Sequence, residues 1–206
     1  MNKKYSLSED QLEVLQELMN IAYGSATAII ADILDAFATL DIPRIEVIST
    51  SEFELYLKNM LKQEGDYFFC SQGINGDLCG ESIFLLSRES ITKLSKYFDF
   101  DDNVSDTDLK DVALELTNIL SSSTVGKLAQ EMGTTVSFSA PTTDIIDGFS
   151  LQDHENIRQY SQVIIIQTLI SFQNEKIEGE LIILTKDQSI LWMKDVLDTI
   201  IKDLFS

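Results

Sequence analysis

Two segments of this chain carry the same polar pair at the same spacing, each with a proline at the same distance downstream. Glu17-Leu18-Met19-Asn20 is followed by Pro43, and Glu115-Leu116-Thr117-Asn118 is followed by Pro141. Glu, Asn and Pro all recur at an offset of 98 residues. Two strand-like runs recur as well, Gly80-Glu81-Ser82-Ile83-Phe84-Leu85-Leu86 and Gly179-Glu180-Leu181-Ile182-Ile183-Leu184, at an offset of 99. A lone Glu-x-x-Asn is noise. A duplicated one in register with a proline indicates a doubled unit, which narrows the architectures open to a chain of 206 residues.

Each half reads as long helix, Pro-marked turn, strands and helix. The first helix is expected from Ser8 to Ala38, with a possible break at Gly24. Ser8 and Gln11 resemble a capping box, and Glu9 and Asp10 suit the positive end of the helix dipole. Strands are expected at Arg44–Ser49, Tyr67–Asn75 and Glu81–Ser87. The second helix is expected from Asp106 to Glu131, stopped by Gly133, with strands at Thr135–Ala140, Gln162–Phe172 and Glu180–Thr185. Polar turns at Arg88–Ser90 and Lys186–Ser189 lead into helices holding Ile91, Leu94 and Phe98, and Ile190, Met193 and Leu197. The acidic stretch Asp99–Asp108 joins the halves. Hairpins near Gly73–Gly80 and Asn174–Gly179 favour antiparallel pairing. Two such halves would each leave a strand edge and an apolar sheet face open, and joining them in one sheet covered by helices removes both liabilities. The expectation is residues 1–206 as a single domain of two repeats, about 8–98 and 106–206.

On a helical wheel of about 100° per residue, Glu13, Glu17, Asn20 and Gly24 fall within about 60° of one another. Leu15, Leu18, Met19, Ala22, Ala26, Ile29 and Ile33 fall on the other side. In the second copy Asp111, Glu115, Asn118 and Ser122 share one stripe, opposite Ala113, Leu116 and Leu120. A polar outer face needs no function, and duplication alone could reflect inherited scaffold geometry. The repeated pair nevertheless has a chemical use. A carboxamide donates and accepts hydrogen bonds at once, which suits it to hold a water in line with a phosphorus atom. A carboxylate one turn earlier can hold a partner's lysine and set the register of docking. With no glycine-rich phosphate loop and no metal-binding cluster in the sequence, the labile phosphate would have to arrive on a partner.

The net charge of −19 disfavours nucleic acid and anionic membrane faces as partners, although acidity also simply maintains solubility. Val163–Ile166, the best apolar run, is broken by Gln167, far short of the ~20 residues a membrane-spanning helix needs. The N-terminus lacks the apolar core of an export signal, so a cytoplasmic location is the expectation. Cys70 and Cys79 fit no zinc or redox spacing and are expected as buried free thiols, and the single histidine, His154, as a surface loop residue.

Asp-x3-Glu-x2-Asn-x22-Pro, present as Asp111, Glu115, Asn118 and Pro141, resembles the signature of the CheC/CheX/FliY phosphatases of bacterial and archaeal chemotaxis. Glu13, Glu17, Asn20 and Pro43 form a second copy, with Glu13 where the family usually has Asp or Ser. The two-copy layout is most similar to CheC. The resemblance implies an α/β (α+β) fold with a pseudo-two-fold internal repeat, a central antiparallel sheet and two long exposed motif helices. It implies a hydrolase that removes the aspartyl-phosphate of the response regulator CheY. In it Asn20 and Asn118 orient the attacking water, and Glu17 and Glu115 contact the regulator's active-site lysine. Glu13 and Asp111 would cap the docking surface or remain solvated. No cofactor of its own is implied; Mg²⁺ is expected on the phosphorylated regulator. CheD, a receptor glutamine deamidase, is the further partner implied, and a non-catalytic CheD-binding module controlled by CheY-phosphate is the alternative function. A third reading makes the stripes a self-association interface.

Overall fold

The structure, a computed structural model, describes residues 5–34, 38–41, 44–61, 65–98, 104–148, 155–158, 160, 162–172 and 178–204. The first half contributes α1 (Glu9–Leu34), β1 (Ala38–Leu40), β2 (Arg44–Ser49), α2 (Thr50–Met60), β3 (Tyr67–Gly76), β4 (Gly80–Ser87) and α3 (Arg88–Leu94), which runs into a 3₁₀ turn at Ser95–Phe98. The second contributes α4 (Asp106–Glu131), β5 (Val136–Phe138), β6 (Thr142–Ile146), α5 (Glu155–Arg158), β7 (Gln162–Phe172), β8 (Glu178–Thr185) and α6 (Asp187–Leu204). The same order of helices and strands thus occurs twice.

All pairings in the single sheet are antiparallel, along the path β1-β7-β8-β4-β3-β5, with β2 also against β7 and β6 also against β3. The first two strands of each half therefore pair with the third strand of the other half. The halves are interlocked, and neither could complete its sheet alone. The registers repeat too. Ala38 faces Phe172 as Val136 faces Gly76, and Arg44 faces Gln167 as Thr142 faces Ser71. At the centre Ile83 of β4 faces Ile182 of β8, its own counterpart 99 residues on, so the pseudo-two-fold axis passes between them.

Helices cover both faces of the sheet. On one, α1 and α4 pack against each other. Leu15, Met19 and Ala22 of α1 meet Val125 and Leu128 of α4 and Met193 of α6, while Val112, Leu116 and Leu120 of α4 meet Phe68, Phe84 and Leu94. On the other, Phe53 and Leu57 of α2 and Ile157 of α5 cover Phe69, Ile83, Leu85 and Ile182. Alternate residues of β4 serve the two layers, which is why that strand reads as a nearly continuous apolar run.

The Ser8–Gln11 box forms as expected: the Gln11 N–H donates to Ser8 Oγ at 3.2 Å and the Ser8 N–H to Gln11 Oε1 at 2.9 Å. α4 occupies its expected span and stops in a Schellman motif. Gly133 sits at φ +74° and donates to the Gln130 carbonyl, while Thr134 donates to the Ala129 carbonyl. Other boundaries differ. α1 passes through Gly24 unbroken, and Ala38, expected as the helix end, opens β1. Ile29 was expected inside but is 39% exposed, because the buried arc of α1 swings toward Tyr23 and Ile30 as the helix leaves one core cluster for the next. Arg88–Ser90 is the first turn of α3, capped by Ser87, rather than a separate turn. Helix α2 and strand β6 fall where no helix or strand was expected. Cys70 is buried and Cys79 partly buried, both as free thiols. His154, Ile33, Pro43 and the 174–177 hairpin turn lie outside the described residues or side chains.

Glu81 and Glu180 are repeat counterparts on the face beneath α2 and α5. Burial pushes the carboxyl of each up from its ordinary value. Glu180 Oε2 accepts from Tyr56 Oη at 3.0 Å and Gln167 Nε2 at 2.7 Å, which offsets part of the cost. For Glu81 only the nearby Lys186 charge does so. A raised carboxyl binds protons more readily folded than unfolded, so above its ordinary 4.5 it makes stability fall as pH rises. Glu81→Gln is therefore expected to raise the thermal midpoint at pH 7 and to flatten its decline between acid and neutral pH. Melting curves across that range check this, and a lower midpoint at pH 7 would contradict it.

Candidate functional site

The two polar stripes lie on the outer sides of α1 and α4. Glu13, Glu17, Asn20 and Gly24 are exposed on the first helix, and Asp111, Glu115, Asn118 and Ser122 on the second. The reason is local. Leu15, Leu18, Met19 and Ala22 turn one side of α1 inward, and Val112, Ala113, Leu116 and Leu120 do the same for α4. α4 also buries Thr117, Ser121 and Thr124. Thr117 satisfies its hydroxyl on the Ala113 carbonyl at 2.7 Å, and Ser121 on Ser82 Oγ of β4 at 2.8 Å. These short polar side chains let α4 lie close to the sheet, which brings Asn118 within reach of β3.

Asp111, Glu115, Asn118 and Pro141 line one open depression of about 630 Å³, together with Gln72 and Phe138. The link between β5 and β6 forms its far wall. It is tied to β3 by two hydrogen bonds at Gly73. The Ser139 N–H donates to the Gly73 carbonyl at 2.9 Å, and the Gly73 N–H donates to Ser139 Oγ at 2.9 Å. That tie explains how a proline twenty-three residues downstream of Asn118 comes to lie beside it. The structure thus brings all four second-copy motif residues together. Of the first copy it places Glu13, Glu17 and Asn20 on one exposed stripe, and Pro43 lies outside the described residues.

The site contains a residue that the motif does not. Gln72 of β3 is 1% exposed and donates from Nε2 to Asn118 Oδ1 at 3.0 Å and to the Ser139 carbonyl at 2.9 Å. Its signal in the sequence was a polar residue in the alternating row Phe68, Cys70, Gln72, Ile74, whose other members are all buried apolar side chains. Chemically, the depression offers a hydrogen-bonding carboxamide held from below, two carboxylates one and two turns earlier, and enough room for the surface of another protein to enter. An arrangement this open suits a reacting group carried on a partner.

No protein-family model and no curated protein matches the chain. Solved structures do match its fold. Thermotoga maritima FliY superposes over 94% of this chain and 98% of its own with a TM-score of 0.63 at 15% identity. CheX from Desulfovibrio desulfuricans superposes over 82% of this chain and 99% of its own, with a TM-score of 0.55 at 18% identity. The FliM middle domain from H. pylori superposes over 92% and 99%, with a TM-score of 0.60 at 13% identity. An antiparallel sheet interlocked between two repeats, with long paired helices on one face, is therefore the fold this chain shares with FliY, CheX and the FliM middle domain.

Proposed function

We propose that this chain is a chemotaxis phosphatase of the CheC/CheX/FliY type, hydrolysing the aspartyl-phosphate of a CheY-like response regulator. The observation that carries the reading is the gathering of Asp111, Glu115, Asn118 and Pro141 around one open depression on the exposed side of α4. A motif preserved only as scaffold has no need to converge at the surface. The fold shared with CheX and FliY supports the same reading.

In this reading the regulator brings the phosphorylated aspartate, its Mg²⁺ and a lysine. Glu115 pairs with that lysine and fixes the docking register, and Glu17 does the same at the first site. The carboxamide of Asn118, or of Asn20, accepts a hydrogen bond from a water and holds it in line with the phosphorus. The water oxygen bonds to phosphorus as the bond from phosphorus to the aspartyl oxygen breaks. The aspartate leaves as carboxylate and the water's protons pass to phosphate and solvent. Neither asparagine gains or loses a proton, as expected of a group that contributes by positioning. Asp111 and Glu13 stand one further turn back and border the docking surface.

The test is direct. A CheY-like regulator is phosphorylated with a small-molecule phosphodonor in Mg²⁺, the donor is removed, and loss of regulator phosphate is followed with and without a substoichiometric amount of this chain. Faster decay with multiple turnovers is expected. Decay at the regulator's own rate would overturn the assignment.

A further inference from the structure

We infer that Gln72 is a positioning residue of the second site, pinning the Asn118 carboxamide in its working orientation, and that the first site lacks such a clamp. The inference rests on the phosphatase reading above and adds to it a residue outside the motif.

The hydrogen bonds fix which way both amides point. The Ser139 carbonyl oxygen can only accept, so the end of Gln72 that faces it must be the NH₂ group. The same Nε2 faces Asn118 at 3.0 Å, so the atom Asn118 presents must be its acceptor, Oδ1. Asn118 Nδ2 is thereby turned away from the sheet, and Oδ1 keeps one lone pair for a water. The anchor is itself rigid, because Ser139 is bonded twice to the backbone of β3 at Gly73. An exposed asparagine on a helix would otherwise sample several rotamers and both amide orientations. Held in one of them, it needs no reorganisation when the phosphate arrives.

The clamp also carries a cost that a purely structural residue would avoid. Gln72 Oε1 is fully enclosed and has no hydrogen-bond partner among the described residues. A methionine would fill this place without burying an unpaired oxygen, while Ser139 and Asn118 are both exposed and could turn to water. A polar residue kept where an apolar one would be at least as stable is the pattern expected of a functional requirement.

The repeat supplies the contrast. Gln72 faces Ser82 across β3 and β4, and at the matching place Thr168 faces Leu181 across β7 and β8. Threonine has a shorter side chain with a single O–H donor, so it cannot donate to two acceptors at once. Asn20 has no hydrogen-bond partner among the described residues.

The experiment uses the full chain reduced to one working site at a time. Asn20→Ala leaves the second site and Asn118→Ala leaves the first; each is made with and without Gln72→Met. Regulator-phosphate decay is measured across regulator concentrations, alongside the thermal midpoint of each protein. In the Asn20→Ala chain, Gln72→Met is expected to lower the maximal rate about tenfold, as a small misplacement of a positioning group does. The half-saturating regulator concentration should stay within about twofold, since Glu115 still docks the partner. The loss should be at least about fivefold larger there than in the Asn118→Ala chain, with no lowering of the thermal midpoint. Equal losses in both chains, a loss that tracks a fall in stability, or no loss in the Asn20→Ala chain would each overturn the clamp. Failure of the phosphatase reading looks different: the unaltered chain itself would leave regulator phosphate to decay at the regulator's own rate, with or without Gln72→Met.

Discussion

Replacing Asn20 and Asn118 together by alanine is expected to return a phosphorylated regulator to its own rate of decay, a loss of about 10²-fold or more in acceleration. Both residues are exposed on long helices, so folding does not depend on them. Alanine is the better helix former, by up to ~0.7 kcal/mol per site, so the thermal midpoint should hold or rise slightly. Gln72 keeps its bond to the Ser139 carbonyl in the variant, so the floor of the second site stays in place. Glu17 and Glu115 also remain, so the regulator should still dock. The effect belongs in the maximal rate and not in the half-saturating concentration, because the amide acts on water in the transition state and makes little contact with the partner before it. Phosphate decay measured across regulator concentrations separates these two quantities. Accelerated decay surviving in the double variant would remove both asparagines from the chemistry.

Much of this architecture was legible because the repeat gives each reading a second copy to check it against. α4, β2 and β7 fall on their expected residues, and β3, β4 and β8 within one or two. What was missed had weaker or unfamiliar signals. Helix α2 is short, but its start was marked by Ser49 and Glu52. The Ser49 N–H donates to Glu52 Oε2 at 2.7 Å, and the Glu52 N–H donates to Ser49 Oγ at 3.3 Å. Phe53, Leu57 and Leu61, one turn apart, then supply the buried side. β6 shows no clear apolar alternation, because as an outer strand it pairs only with β3 among the described strands and leaves Thr142 and Asp144 exposed. The exchange of strands between halves could not be read from the chain at all. It follows from long-range pairing, which local periodicity does not encode.

At the site, the outward direction of both stripes was legible from the 3.6-residue period, since enough apolar residues occupy the opposite arc to decide it. Thr117, Ser121 and Thr124 show the limit of that method. They face the core although they are polar: Thr117 satisfies its hydroxyl on a carbonyl of its own helix and Ser121 on β4, while the buried Thr124 hydroxyl has no partner among the described residues. Pro141 was recognised by spacing alone, and its place beside Asn118 needed the two bonds at Gly73. Gln72 was not among the expected site residues: its one mark in the chain is a polar side chain at an alternating position of a strand, and only the fold puts it against Asn118.

Gly80→Ala is expected to be the most damaging single-methyl change in the chain, and the reason lies at the seam between the repeats. Gly80 is buried at the start of β4, facing Thr185 of β8, with an ordinary extended backbone. Its requirement is therefore closeness and not a left-handed conformation. A Cβ there would run into the Leu184 carbonyl oxygen, a backbone atom already fixed within the sheet. The strands would have to part, and β4 with β8 is the central pairing between the two interlocked halves. Gly179, its repeat counterpart, presents a milder case. A Cβ there would come within 2.8 Å of the Phe84 and Leu86 side chains, whose outer ends can turn aside. Gly80→Ala should cost about 3 kcal/mol or more, and Gly179→Ala distinctly less. For a chain of this size ~3 kcal/mol corresponds to a fall of about 6–12 °C in thermal midpoint. Because each half completes the other's sheet, the loss should appear as one transition moved to lower temperature, with no separate melting of a half. Scanning calorimetry of the two variants decides it: equal midpoints, or a Gly80→Ala chain within about 1 kcal/mol of the unaltered protein, would mean that the seam has room the geometry denies.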